Sequence, residues 1–161
     1  MLAASLAGEA ATITHKIKPP KSQSQSPGSK PAKPSIRKEH IPVPPTIAHF
    51  VMNLPASAID FLGSYRGLYA GQESLFAPKT GRKLPMVHVH CFSIKDDDET
   101  LAQRDICERI TKELGYPVKM GDPEQGEGFV AVHEVRTVAP SKNMYCASFR
   151  LPGEVVFAGR D

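Results

Sequence analysis

Asn53, Leu54 and Pro55 stand where a short apolar run, His49-Phe50-Val51-Met52, gives way to a segment of helical periodicity. An amide on a short stem offers one acceptor and two donors. A proline beside it fixes its own φ and stiffens the turn. Open α/β sheets hold their ligands at the carboxyl tips of parallel strands. Asn53 at such a tip can hold the polar edge of a ligand, with Pro55 fixing the loop. Two plainer readings compete. Asn53 is also a good helix cap, and Pro55 suits a helix's first turn.

Other side chains could do chemistry. His88 and His90 fall on one face of a strand, as a metal pair would, but no acidic or thiol partner is near them in sequence. His49 and His133 read as ordinary strand or strand-end residues. Asp96-Asp97-Asp98-Glu99 could hold a cation, although carboxylates in a helix's first turn are explained by the macrodipole alone. Arg66, Arg136 and Lys142 read first as surface charge, and either arginine could reach a phosphate. Cys91, Cys107 and Cys146 form no Cys-x-x-Cys pair, which argues against structural zinc. Three reduced, mostly buried thiols suit a cytosolic, nuclear or mitochondrial protein.

These residues need elements to position them. Ile47–Met52 reads as a strand covered on both faces. Ala58, Phe61, Leu62, Tyr65, Leu68 and Tyr69 recur at helical spacing, with Ser57 and Asp60 at the start and Gly71 as the stop. Met86–Ile94 is a second strand. The next helix places Leu101, Ile106, Ile110 and Leu114 inward, and Gly115 and Pro117 end it. "FVAVHEVRTV" and "MYCASFRLP" are two strands joined closely enough for an antiparallel hairpin. Helical crossovers imply parallel neighbours, and the last pair implies an antiparallel edge. The fold class is α/β, half of a three-layer sheet. No glycine-rich strand-to-helix turn with a downstream acid appears in the sequence.

The start of the chain differs from the rest. Ala- and Leu-rich residues 1–16 read as one or two helical turns, or as the start of a mitochondrial transit peptide. Lys18 to Pro45 holds eight prolines and five serines. Such composition buries too little apolar surface to offset its ordering entropy, so it reads as disordered. The chain's net charge of +3 gathers here: residues 1–38 carry seven basic side chains against Glu9, which leaves the remainder net negative. A basic excess confined to a tail is weak evidence for nucleic acid. No apolar run approaches the roughly 20 residues of a membrane span.

The order of elements, ending in its hairpin, resembles the C-terminal half of a class I S-adenosylmethionine-dependent methyltransferase, with a Rossmann-like sheet. "HFVMNLPASAIDFLGSYRG", "PMVHVHCFS" and "HEVRTVAPSKNMYCASFRLP" resemble the eukaryotic and archaeal tRNA (guanine37-N1)-methyltransferase family, the fungal form above all. The likeness covers about Ile41 to Phe157. It implies methyl transfer from S-adenosylmethionine to N1 of guanine 37, with tRNA as partner, and a monomeric full-length enzyme outside the membrane. It implies that Asn53 and Pro55 belong to the cofactor loop. The family's base and guanine-binding arginine lie upstream of the matching text and are not carried over.

On this reading residues 1–40 are a basic Pro/Ser-rich tail or insertion, and residues 41–161 the C-terminal part of the catalytic domain. The chain is then a C-terminal fragment, poorly active alone. The family occurs in cytoplasm, nucleus and mitochondrial matrix. Two alternatives stand beside it: an aminocarboxypropyl transferase of wybutosine synthesis, and a non-catalytic remnant or partner module.

Overall fold

A computed structural model describes residues 10–17, 35–93, 98–140 and 142–159. The chain divides into two compact units, Met1–Thr46 and Ile47–Asp161. In the first, β1 (Ala10–Ile17) pairs antiparallel with β2 (Ser35–Pro42), from Ala10 opposite Pro42 to Ile17 opposite Ser35. This corrects two expectations, the helical turns at the start and the disorder as far as Pro45. Thr12, Ile13, Thr14 and Ile17 are β-branched and favour extended backbone over helix. Residues 1–9 and 18–34, which hold most of the transit-peptide and linker readings, lie outside the described residues.

The second unit is built on a sheet of five strands: β3 (His49–Met52), β4 (Met86–Phe92), β5 (Lys119–Met120), β6 (Phe129–Ala139) and β7 (Lys142–Arg150). Their order is β3-β4-β7-β6-β5. β3 and β4 run parallel, as do β5 and β6, and β7 is antiparallel to both of its neighbours. The hairpin is present as read, but its last strand is interior. The edge beyond β6 is β5, not the hairpin. The reason is apolar content: β7 buries Met144, Tyr145, Ala147 and Phe149 along its length, whereas β6 is exposed from His133 onward.

One sheet face carries the core. Val87, Phe149 and Val130 stand in register across β4, β7 and β6, and Val89, Ala147 and Val132 form the next row. All are buried. Helix α1 (Glu99–Leu114) contributes Ala102, Ile106, Ile110 and Leu114 to the core, and it packs on the 3-10 helix Ala58–Tyr65. The opposite face bears His49, Val51, His88, His90, Cys146, Ser148 and His133, none fully buried, and Val51 is 68% exposed.

Two helix readings need correction. The segment after Pro55 is a 3-10 helix that stops at Tyr65, not an α-helix running to Gly71. Its threefold repeat turns Ile59 and Leu62 inward and leaves Phe61 55% exposed. The backbone beyond is engaged elsewhere: Gly67, at φ 68°, donates to the Val155 carbonyl and Tyr69 to that of Val156. Those carbonyls belong to the short terminal helix α2 (Gly153–Val156). In α1, Leu101 lies on the outer side, 44% exposed. The stop of α1 matches the sequence, but its start falls later than expected, with Glu99 the one acid in its first turn. Asp98 caps its start, accepting from the Thr100 and Leu101 amides at 2.7 and 3.2 Å, and Gly115 ends it at φ 67°.

Candidate functional site at the carboxyl edge of the sheet

Asn53 is the first residue past the tip of β3. The turn that follows is closed by Leu54, whose carbonyl accepts from the Ser57 and Ala58 amides at 2.9 and 2.8 Å. Ser57, not Asn53, occupies the cap position, and no side chain bonds there. Pro55 lies ahead of the helix rather than in its first turn. Its carbonyl accepts from the Phe92 amide at 3.3 Å, which ties the loop after β3 to the tip of β4. Neither plainer reading therefore accounts for the pair. Asn53 is exposed, and among the described residues its amide makes no hydrogen bond.

Phe92 is the hub of this edge. Its amide is held by Pro55, its carbonyl accepts from Arg109 Nη1 at 2.7 Å, and its ring lies 4.1 Å beneath the Lys142 ammonium. Arg109 also pairs with Asp105 at 3.6 Å, one turn earlier on α1. Because β3 and β4 are parallel, Asn53 and Phe92 stand at the same end of the sheet. Strand β7 enters antiparallel at that end, bringing Lys142 with it. Arg136 is exposed on β6 between two register shifts. Arg66 lies at the other end of the 3-10 helix, away from this edge.

The remaining candidates fall elsewhere. His88 meets His49 rather than His90, near the amino ends of β3 and β4. Among the described residues no group of three His, Cys, Asp or Glu side chains could hold a metal ion. Asp96 and Asp97 lie outside the described residues, and Asp98 is engaged as a cap. The three cysteines are free, as expected. Burial pushes the Cys91 thiol up to about 12 and the Cys107 thiol to about 11, so neither is a nucleophile near neutral pH.

The Phe92 hub and the Arg109 contact were not legible beforehand. The only local signal was an aromatic residue closing an apolar strand. What makes it a hub is the convergence of Pro55, Arg109 and Lys142 on it, which no local spacing reveals.

A mixed α/β sheet with parallel β3 and β4 and a closing antiparallel hairpin is consistent with one class, the C-terminal part of a class I methyltransferase fold. Comparison of sequences narrows it. The chain is 61% identical over 143 residues to a tRNA (guanine(37)-N(1))-methyltransferase of Neurospora crassa, a match covering 89% of this chain and 28% of that protein. It is 58% identical over 160 residues to the enzyme of the same name in Fusarium vanettenii, covering 99% of the chain and 32% of the relative. The Schizosaccharomyces pombe protein of that name is 46% identical over 121 residues, covering 75% and 24%. Over most of its length the chain is similar to a C-terminal portion of proteins named tRNA (guanine(37)-N(1))-methyltransferase. It spans about three tenths of the length of these first two relatives. No family model and no solved structure matches it.

Proposed function

We propose that this chain forms the C-terminal part of a catalytic domain that methylates N1 of guanine 37 in tRNA. One observation carries the reading: the exposed, unengaged Asn53 amide, held at the joined tips of β3 and β4. The relatives' shared name supplies the reaction.

S-adenosylmethionine would supply the methyl group as an electrophilic sulfonium carbon. Asn53 fits a place beside it, because a neutral amide both donates and accepts. Guanine N1 carries a proton at neutral pH, so alignment and a placed base share the work. No member of the Asn53-Leu54-Pro55 loop is a base, and the loop's task is therefore orientation. Pro55 fixes that orientation twice, through its ring and through its carbonyl bond to Phe92. Losing one hydrogen bond in a dry site costs on the order of 1–3 kcal/mol.

The partner on this reading is tRNA, met by a monomeric enzyme in cytoplasm, nucleus or mitochondrial matrix. Among the described residues no helix is long and apolar enough to cross a membrane. The test is a complete relative whose matching segment is replaced by residues 47–161. Mass analysis of its tRNA product should show 1-methylguanosine at position 37. An aminocarboxypropyl adduct, or no modification by a folded chimera, contradicts the reading.

A further inference from the structure

We propose that Lys142, seated on the ring of Phe92, is a phosphate contact for RNA at the edge of the sheet where Asn53 stands. This rests on the reading above that the partner is an RNA.

The geometry places the cation. The ladder between β4 and β7 ends at Phe92 opposite Met144. The ladder between β6 and β7 continues past it to Ala139 opposite Lys142. The hairpin therefore projects beyond the tip of β4, on the Asn53 side of the sheet. Two register shifts, between Glu134 and Arg136 and between Thr137 and Ala139, add twist to the arm. Every residue from 133 to 140 is exposed.

The arm does not leave its lysine to wander. The ammonium sits 4.1 Å from the Phe92 ring centre. Phe92 is itself fixed at both backbone groups, by Pro55 and by Arg109. One loop thus positions both Asn53 and, through Phe92, Lys142. Among the described residues Lys142 makes no ion pair. Of the described acids at the start of α1, Asp98 has its carboxylate engaged by two backbone amides, and Glu99 accepts from Gln103 Nε2 at 3.1 Å.

An ammonium resting on an aromatic face turns its remaining N–H groups outward. Lysine is a point charge that binds phosphate without a fixed fork. Seating it beforehand lowers the ordering cost of a contact. An RNA whose base reaches Asn53 brings its backbone along the same edge, where this cation waits. Arg136, exposed on the same arm, adds a second positive charge, while Glu134 opposes it nearer the arm's base.

The test uses the 161-residue chain and an anticodon stem-loop RNA with guanine at position 37, followed by fluorescence anisotropy over a salt series. Lys142→Ala and Lys142→Gln should weaken low-salt binding several-fold and lower the slope of log K against log salt by about 0.7 to 1. Lys142→Arg should keep the slope. Phe92→Leu should fall between, because the charge remains and its seat is lost. Lys79→Ala, in the short 3-10 helix Pro78–Thr80, should change no more than any surface charge. An unchanged slope in Lys142→Ala overturns the proposal. So does wild-type chain that binds no RNA, or a Lys142→Ala effect confined to S-adenosylmethionine binding. Failure of the chimera to methylate, with the slope effect intact, would instead count against the reaction and leave the contact standing.

Discussion

His49 and His88 lie 39 residues apart in sequence and meet edge to edge, with His49 Nδ1 3.0 Å from His88 Nε2. Their planes differ by 15° and their ring centres are 5.3 Å apart. That spacing is the nitrogen separation extended by one ring radius at each end. The rings are therefore nearly coplanar rather than stacked face over face. One proton lies between the facing nitrogens. The other nitrogen of His88 reaches Ser148 Oγ at 2.8 Å, so a polar chain crosses β3, β4 and β7. A metal bound by both rings would need their lone pairs turned toward a common point, whereas here they face each other.

This pair makes stability depend on pH. The His88 pKa is lowered, first by burial and then by the neighbouring His49 and His90. Ser148 of β7 faces it across the ladder. The unfolded chain takes up this proton near 6.5, while the folded chain resists it. The unfolded state binds more protons, so the contribution is present above about 6.5 and is lost as pH falls below it. Urea unfolding at pH 7.5 and 5.5 should show wild type losing more stability on acidification than His88→Gln. Equal losses would contradict the assignment.

Gly115 ends α1 at φ 67°, and a Cβ built there meets nothing within 4 Å. The cost of Gly115→Ala is then purely conformational, about 1 kcal/mol. The midpoint of urea unfolding should fall accordingly with an unchanged m-value.

Phe61 and Leu62 are neighbours with opposite fates, 55% and 0% exposed. Leu62→Ala should cost about 2–5 kcal/mol. Phe61→Ser should stay within about 0.5 kcal/mol of wild type. Comparable losses at both sites would restore the α-helical phase expected from spacing.

Thiol reactivity should separate the cysteines. Cys91 is fully buried and pushed up to about 12, and Cys107 is pushed up to about 11. Cys146 is half-buried on the open face of the sheet, its Sγ 3.9 Å from Ser148 Oγ. An aromatic disulfide reagent should titrate one thiol quickly in the native chain and all three in denaturant. Fast reaction at Cys91 would contradict its placement.

What the sequence revealed was what local chemistry decides. Gly115 marks the end of α1 without reference to anything distant. The strands around Val87, Val130 and Phe149 announce themselves by their apolar content. Phase and order were harder to read. Phe61 was placed inward because helical spacing cannot tell a 3-10 repeat from an α repeat over eight residues. Gly71 reads as a stop because nothing local shows that Gly67 and Tyr69 bond to Val155 and Val156, far along the chain. The interior position of β7 and the meeting of His49 with His88 depend on sheet register. At the candidate site, Asn53 and Pro55 were legible because amide and proline chemistry is local. Phe92 was not, because its role depends on Pro55, Arg109 and Lys142 converging from three other elements.

The most direct measurement is a single-turnover methylation assay on a complete relative carrying residues 47–161, compared with the same protein bearing Asn53→Ala. The variant should fold and bind tRNA like its parent, since Asn53 is exposed and makes no hydrogen bond among the described residues. Its rate of 1-methylguanosine formation should fall by about tenfold or more, the loss expected for one hydrogen bond in a dry site. A single-turnover rate equal to the parent's would contradict it.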